Sequence, residues 1–232
     1  MSTITAAITA VGAYVPDFVL TNEILETLVD TNDEWITART GIKERRILKD
    51  DSKGTSYLAI MAAKDLMAKA NLDPLEIDLV IVATATADMP VAATAAYVAT
   101  EIGATNAFGY DLQAACSSFL FGMSTAAAYV QSGRYKKVLL IGADKMSSIV
   151  DYTDRATCII FGDGAGAALF EPNYEGLGVL DEYLRSDGIG RDFLKIPAGG
   201  SLIPTTIDTV KENRHNIIQD GKTVFKYAVT NM

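Results

Sequence analysis

The chain has 232 residues, of which 49% are hydrophobic and 21% charged, a composition typical of a folded globular protein. Its formal charge of −9 disfavours nonspecific nucleic-acid binding, and two cysteines with one histidine are too few for a disulfide framework or a metal site. The N-terminus lacks the basic start of a signal peptide and no apolar run reaches the roughly 18 residues that span a bilayer, so we expect a cytoplasmic protein without a membrane segment.

The first part of the chain alternates candidate strands and helices. TAAITAVGAYVP is typical of a strand, and TNEILETLV predicts a helix capped by Thr21 or Asn22. GTSYLAIMAAKDLMAKANL has apolar residues at helical spacing, with a cap expected at Thr55 or Ser56. The continuous apolar run IDLVIVATAT predicts a strand that is buried on both faces.

The same rhythm continues through the middle of the chain. A helix AATAAYVATEIG should end at Gly103, strand NAFGYDLQ follows, and helix SSFLFGMSTAAAYVQSG should end at Gly133. Strand KKVLLIGAD comes next, and TCIIFGDGAGAALFEP suggests two short strands around a glycine-rich turn. Buried strands alternating with helices predict an α/β sheet layered with helices.

After Pro172 the pattern restarts, with GLGVLDEYLRSDG as a candidate strand and GKTVFKYAVTNM as the opening of a helix. The glycine-rich GDGAGA lacks a Walker lysine and leads into a strand, so it does not indicate a nucleotide-binding loop. His215, in the polar stretch KENRHNIIQ, is expected in an exposed loop.

Cys116 is the candidate nucleophile. It follows a predicted strand and opens a predicted helix that begins with Ser117 and Ser118, where the helix dipole and free N–H groups favour a thiolate and could stabilise an oxyanion. The alternative is a buried thiol that acts as a small hydrophobic residue. Position alone leaves both open for Cys116, whereas Cys158, placed in the middle of a predicted strand, is assigned to the core.

Four stretches together form a more specific pattern: DTNDEWITARTGIKERR, DLQAACSSF, DRATCIIFGDGAGAA and GKTVFKYAV. In this order and at these separations they resemble β-ketoacyl-acyl carrier protein synthase III, a family of condensing enzymes in the thiolase-like superfamily. The resemblance implies a dimer with a layered α-β-α-β-α fold. On that template residues 1–172 form the N-terminal half with the nucleophile, and residues 173–232 begin a C-terminal half of which most is missing.

The resemblance also implies the chemistry: a dedicated acyltransferase that starts fatty-acid synthesis, with a CoA thioester as substrate and no cofactor. An acyl-CoA acylates Cys116, and the acyl group then passes to malonyl-acyl carrier protein with loss of carbon dioxide. The implied CoA contacts are Trp35 and Arg155 around the adenine, Thr31 and Arg39 near the nucleotide end, and Ile160, Phe161 and Phe225 along the pantetheine channel. Val91 corresponds to the floor of the acyl tunnel, reaching across the dimer, and Lys226 to a docking residue for the acidic carrier protein.

The sequence departs from the family in its second half. The family's histidine motif H-Q-A-N and asparagine motif H-G-N-T-S-A do not occur, so we expect an incomplete form that can be acylated but condenses poorly. Other readings remain: a hydroxymethylglutaryl-CoA synthase or polyketide starter synthase, or a non-catalytic acyl-CoA-binding fragment. Without the resemblance, Trp35 would be a core residue at a helix end, and Arg155 a surface partner of Asp154 or Asp151.

Overall fold

The computed structural model describes residues 4–231, which divide into two compact units. The first unit comprises residues 4–18, 47–145 and 163–184, and the second comprises residues 19–46, 146–162 and 185–231. The boundary expected at residue 172 from the family template stays a prediction.

The strands are β1 (Thr5–Tyr14), β2 (Phe18–Thr21), β3 (Glu44–Ile47), β4 (Leu79–Ala83), β5 (Phe108–Leu112), β6 (Val138–Lys145), β7 (Asp163–Asn173), β8 (Leu194–Lys195) and β9 (Ile218–Gln219). The helices are α1 (Asn22–Glu26), α2 (Asp33–Thr40), α3 (Thr55–Ala70), α4 (Thr94–Glu101), α5 (Ser118–Gln131), α6 (Arg155–Cys158), α7 (Ile207–Lys211) and α8 (Gly221–Asn231). Short 3-10 turns lie at Pro74–Glu76, Ala115–Ser117, Met146–Ser148 and Gly188–Asp192.

The first unit is built on a five-stranded sheet in the order β1-β7-β6-β4-β5. Strands β5, β4 and β6 are parallel to one another, while β7 is antiparallel to both β6 and β1. The carboxyl ends of the three parallel strands therefore share one edge of the sheet, which is where α/β proteins usually place their functional loops.

Both faces of this sheet are covered, because alternate residues of each strand point to opposite sides. Val80 and Val82 of β4 join a core with residues of α3 and α4 on one face. Leu79 and Ile81 of the same strand join a second core with residues of α5 on the other face. The predicted α/β sheet layered with helices is confirmed, as are the strands now numbered β1, β4, β5 and β6.

The glycine-rich segment is the main error of the sequence interpretation. TCIIFGDGAGAALFEP does not form two strands around a turn; Cys158 ends the short helix α6, and all of GDGAGA after its first glycine lies within the single long strand β7. Because β7 lies between β1 and β6, its backbone is hydrogen-bonded along both edges. Tertiary pairing therefore overrides the local turn tendency of its glycines.

Two further expectations fail. The segment GLGVLDEYLRSDG forms no strand in the described chain; it is irregular, and the next element is the 3-10 turn at residues 188–192. The cap of α3 is neither Thr55 nor Ser56: Gly54 is the N-cap, and the Asp88 carboxylate accepts the Ser56 N–H at 2.9 Å instead. The carboxylate of a residue distant in sequence thus accepts the N–H that a hydroxyl at the helix start was expected to accept.

In the second unit the elements are short. The pair β2–β3 and the pair β8–β9 each form a two-stranded sheet, and the helices are α1, α2, α6, α7 and α8. Thr21 caps α1, as one of the two expected alternatives, by accepting the Ile24 N–H at 3.4 Å. The predicted helix over GKTVFKYAV is confirmed as α8, and His215 is exposed in a turn as expected. Across residues 4–231, no helix is long and apolar enough to cross a bilayer.

Candidate active site

Cys116 lies in the first unit, on the connection from β5 to α5, and its side chain is exposed. Its position between a strand and a helix agrees with the sequence interpretation, with the refinement that it sits in a 3-10 turn and α5 begins two residues later. The N-cap of α5, Ser117, makes no side-chain capping bond. The exposed thiol is therefore next to a helix end whose positive pole is not neutralised by a cap.

The backbone before Cys116 is strained. Ala115 has φ +49°, a left-handed conformation that is uncommon for a residue with a side chain. The Ala114 N–H donates to the buried Ser118 Oγ at 2.6 Å, which closes the turn around the cysteine. Strain of this kind is concentrated at functional sites, where surrounding structure holds it. The sequence gives no signal for Ala115, because nothing distinguishes it from Ala114.

Helix α5 is held close to the sheet beneath it. A methyl group built on Gly122 would overlap Leu140 Cδ1 of β6, so only glycine fits at this approach without moving the leucine. Gly122 therefore allows the helix that follows Cys116 to lie close to β6.

Cys158 has the opposite environment. It is fully buried in the second unit, and burial, followed by the nearby Asp154 charge, raises the pKa of its thiol to about 11. The expectation that Cys158 is a core residue fits this geometry, although its predicted strand does not exist. A thiol that resists ionisation is a poor nucleophile at neutral pH.

The loop after β4, residues 84–93, is held at both ends by carboxylates. Asp144 Oδ1 accepts hydrogen bonds from the hydroxyl of Thr84 and from the N–H groups of Ala85 and Thr86. Asp111 accepts the N–H groups of Thr94 and Ala95, where the loop enters α4. The loop therefore has a defined backbone between two fixed ends.

Val91 lies at the tip of that loop. Its side chain is fully exposed, and its φ of +79° is unfavourable for a β-branched residue. Met89 and Tyr97, which could have filled space beside a small residue at this position, instead line a cavity of about 600 Å³ between α3 and α4 together with Tyr57 and Ile60.

The predicted CoA residues lie in the second unit, and three of them form one cluster. Trp35 is in the first turn of α2, where Asn32 accepts its N–H at 2.7 Å. The guanidinium carbon of Arg155 lies 5.1 Å from the centre of the Trp35 ring, and that of Arg39 lies 4.8 Å away. Both distances are within cation–π range. We call Trp35, Arg39 and Arg155 the aromatic–guanidinium cluster.

Arg155 is positioned by backbone rather than by a carboxylate. Its Nη1 donates to the Asp30 carbonyl at 2.9 Å. The two acidic side chains considered as surface partners are used elsewhere: Asp154 caps α6 through the Ala156 N–H, and hydrogen bonds from Thr153 hold the pKa of Asp151 below its usual value. The surface-pair alternative for Arg155 is therefore not what the structure contains.

The other predicted CoA and carrier-protein residues lie outside the aromatic–guanidinium cluster. Thr31 follows the carbonyl that binds Arg155, and its Oγ1 is buried with no hydrogen-bond partner in the described part of the chain. Ile160 and Phe161 follow α6 and are half-buried, whereas Phe225 and Lys226 are exposed on α8. Within residues 4–231, no group of histidine, cysteine, aspartate and glutamate side chains could hold a metal ion.

Sequence reasoning missed two polar residues that are hydrogen-bonded to the elements carrying the aromatic–guanidinium cluster. Arg45 and Asn22 are both buried, and they are hydrogen-bonded to each other at 2.8 Å. Their only sequence signal is an arginine in the short stretch ERRI, and nothing in that pattern tells a buried arginine from an exposed one.

The chain is similar to known condensing enzymes over its whole length. The sequence model of 3-oxoacyl-acyl-carrier-protein (ACP) synthase III matches residues 110–188. β-Ketoacyl-acyl-carrier-protein synthase III 2 of Bacteroides thetaiotaomicron is 56% identical over 232 residues, which are all of this chain and 69% of that protein.

Two solved structures extend the similarity to the fold. The β-ketoacyl-acyl carrier protein synthase III of Thermus thermophilus superposes with a TM-score of 0.87 at 41% identity, over 97% of this chain and 68% of that one. The priming β-ketosynthase of the R1128 polyketide pathway superposes with a TM-score of 0.83 at 32% identity, over 97% of this chain and 66% of that one.

Proposed function

The chain belongs to the β-ketoacyl-acyl carrier protein synthase III family, and we propose that Cys116 carries the acyl group in its reaction. The family's enzymes are acyltransferases of thiolase-like fold that catalyse the initiating condensation of fatty-acid synthesis. The observation that carries the assignment of Cys116 is its exposure at the uncapped start of α5, directly after a strained residue.

In the first half-reaction the Cys116 thiolate attacks the carbonyl carbon of an acyl-CoA. A bond forms from Sγ to carbon, the carbonyl oxygen becomes an oxyanion, and the carbon–sulfur bond to CoA breaks. The CoA thiolate leaves and takes up a proton, so no oxidant or cofactor is consumed. The partial positive charge at the start of α5 favours both the thiolate and the oxyanion.

The aromatic–guanidinium cluster suits the nucleotide end of CoA. The flat faces of Trp35, Arg39 and Arg155 offer stacking and cation–π contacts to an adenine, and the two guanidinium groups are cations that suit phosphates. Thr31 belongs to the same contact region, and Ile160, Phe161 and Phe225 supply apolar surface for pantetheine.

In the second half-reaction malonyl-acyl carrier protein loses carbon dioxide, and the resulting enolate carbon attacks the acyl-Cys116 carbonyl. The cysteine sulfur leaves, and β-ketoacyl-acyl carrier protein is the product. We assign to Lys226 the attraction of the acidic carrier protein, and its exposure on α8 supports this role. The protein acts as a homodimer in which Val91 reaches the neighbouring subunit.

The test of the acyl-enzyme follows the mass of the chain after incubation with acetyl-CoA. We expect one acetyl group on wild type and on Cys158→Ser, and none on Cys116→Ser. Cys158→Ser is the matched control because it removes the other thiol of the chain. Acylation that survives in Cys116→Ser would refute the assignment. Addition of malonyl-acyl carrier protein then measures condensation separately from acylation.

A priming enzyme for polyketides is the second candidate, favoured by the similarity to the R1128 priming β-ketosynthase and by the small residue at the loop tip. Valine leaves space that a phenylalanine would fill, and each buried CH₂ of a longer primer is worth about 0.8 kcal/mol. We therefore propose that branched or medium-length primers are accepted beside acetyl-CoA.

The primer test compares kcat/KM of the enzyme for acetyl-, isobutyryl- and hexanoyl-CoA between wild type and Val91→Phe. The substitution should remove use of the longer primers and spare acetyl-CoA. An unchanged profile would show that Val91 does not set the tunnel floor, without affecting the assignment of Cys116.

A further inference from the structure

Arg45 is a buried cation, and in the described part of the chain its hydrogen bonds go to uncharged acceptors alone. It lies on β3 and is 5% exposed, and within residues 4–231 it forms no ion pair. Its Nη1 donates to the Leu20 carbonyl at 3.3 Å and to Asn22 Oδ1 at 2.8 Å, and its Nη2 donates to the Ile159 carbonyl at 2.7 Å. Burying a charge is costly, so a position that keeps one is expected to gain something other than packing.

One arm of Arg45 leads to the helix that carries Trp35. Asn22, which accepts from Arg45, is fully buried, and its Nδ2 donates to Asp33 Oδ1 at 2.7 Å and to the Ile42 carbonyl at 2.9 Å. Asp33 is the first residue of α2, and Ile42 follows its end. Asn22 therefore holds α2 near both of its ends, and Arg45 fixes the orientation of the Asn22 amide.

The other arm leads to the segment that carries Arg155. Ile159, whose carbonyl accepts from Arg45 Nη2, is the C-cap residue of α6, four positions after Arg155. The chain that follows packs directly on β3, because a Cβ at Gly162 would lie 2.9 Å from Arg45 Cβ. Helix α6, which carries Arg155, is thus hydrogen-bonded to Arg45, and helix α2, which carries Trp35, is connected to Arg45 through Asn22.

We propose that Arg45 is a positioning residue that sets the relative placing of Trp35 and Arg155, the two proposed contacts of the CoA adenine. This inference rests on the proposed function of the aromatic–guanidinium cluster. A guanidinium suits the task because its rigid planar fork directs donors from two nitrogens toward acceptors on different elements. Lysine would supply the charge from a single nitrogen and could not reproduce that geometry.

The experiment uses Trp35, the single tryptophan of the chain, as the reporter. Its near-ultraviolet circular dichroism and emission are measured in wild type, Arg45→Lys and Arg45→Met without ligand. The dissociation constant for CoA, the KM for acetyl-CoA and the rate of Cys116 acylation at saturating acetyl-CoA are then measured for each. Arg46→Met is the matched control, since Arg46 is the next residue of the same strand and its side chain is 37% exposed.

We expect both Arg45 variants to change the ligand-free Trp35 signals and to raise the dissociation constant for CoA and the KM by about tenfold. The saturated acylation rate should change less than about twofold, because the proposed role of Arg45 is in binding CoA and not in the attack by the Cys116 sulfur. Arg46→Met should leave every readout near wild type. An Arg45→Lys protein with wild-type Trp35 signals and wild-type CoA binding would overturn the proposal.

Asn22→Asp covers the case in which the Arg45 variants do not fold. An aspartate keeps an acceptor for Arg45 but loses the donor to Asp33 and faces that carboxylate with a like charge. We expect altered Trp35 signals and weaker CoA binding here too, and unchanged values for both would overturn the proposal. Failure of CoA to affect Trp35 emission in wild type would instead refute the proposed adenine site, which separates the two outcomes.

Discussion

Different interactions stabilise the interior of each of the two units of the molecule. The first unit buries aliphatic side chains on both faces of a sheet, and it carries 8 Lys and Arg against 16 Asp and Glu, a net charge of −8. The second unit has short elements joined through the buried polar residues Arg45 and Asn22, and it carries 12 basic against 13 acidic residues, a net charge of −1. The candidate nucleophile lies in the first unit and the aromatic–guanidinium cluster in the second. Packed apolar layers thus support the candidate nucleophile, whereas buried hydrogen bonds determine where the side chains of the recognition cluster lie.

The first prediction concerns the contribution of the buried apolar layers to the stability of the first unit. Leu140→Ala should lower the free energy of unfolding by about 3 kcal/mol, because it removes a fully buried side chain of β6 and leaves a cavity beneath α5. Urea denaturation measures the change. Leu120→Ala is the matched control on the exposed side of α5 and should cost no more than about 0.5 kcal/mol. Equal losses of unfolding free energy in the two variants would show that burial against the sheet does not stabilise the first unit.

The second prediction concerns alkaline pH in the second unit. Burial raises the pKa of Cys158 from 9.0 to about 11, so the folded chain keeps this proton while the unfolded chain releases it. The contribution is therefore fully present below pH 9 and is lost as the pH rises through 11, roughly 3 kcal/mol in all. Cys158→Ser should remove that part of the slope of unfolding free energy against pH. A slope identical to wild type would contradict it.

The third prediction separates recognition from stability. Arg155→Ala should weaken CoA binding about tenfold, since it removes one of the two guanidinium groups of the aromatic–guanidinium cluster. Its unfolding free energy should stay within about 0.5 kcal/mol of wild type because the side chain is exposed. Isothermal titration and urea denaturation supply the two values. Arg191→Ala, at another exposed arginine of the second unit, should leave CoA affinity unchanged.

The fourth prediction concerns backbone strain at Val91 in the first unit. Val91→Gly should raise the free energy of unfolding by about 1 kcal/mol, because glycine accepts the left-handed backbone without the valine's strain. Val15→Gly, at an exposed valine without positive φ, should stabilise nothing. Thermal denaturation of the two variants distinguishes them, and a loss of stability at both positions would show that Val91 is not strained.

The first unit was largely predictable and the second was not, for physical reasons. Strands β4 and β6 are apolar runs buried on both faces, and the position of Cys116 follows from the order of β5 and α5. Strand β7 was misread because local glycine preferences cannot reveal pairing with partners far away in sequence. The left-handed φ of Ala115 and Val91 depends on loop closure rather than residue type.

The contacts of the second unit show the same limit more strongly. The resemblance to the family predicted Trp35, Arg39 and Arg155 as nucleotide residues, but not that both guanidinium groups lie against the one indole ring. Arg45 was missed altogether, because hydrogen bonds to carbonyl groups leave no trace in a pattern of residue types. Roles that rest on such bonds become visible only in three dimensions.

The pairing of β1 with β7 also has a consequence for synthesis of the chain. Thr5 bonds to the carbonyl of Asn173, 168 positions later, so within the five-stranded sheet β1 is synthesised before the other strands but can pair only after β7 has been made. At the usual rates of translation this interval lasts on the order of ten to thirty seconds. During that time Ile8 and Val11 belong to an unpaired, apolar strand, which is the kind of segment that chaperones bind. The pairing of β1 therefore completes the sheet, and the rate of translation determines how long β1 stays unpaired.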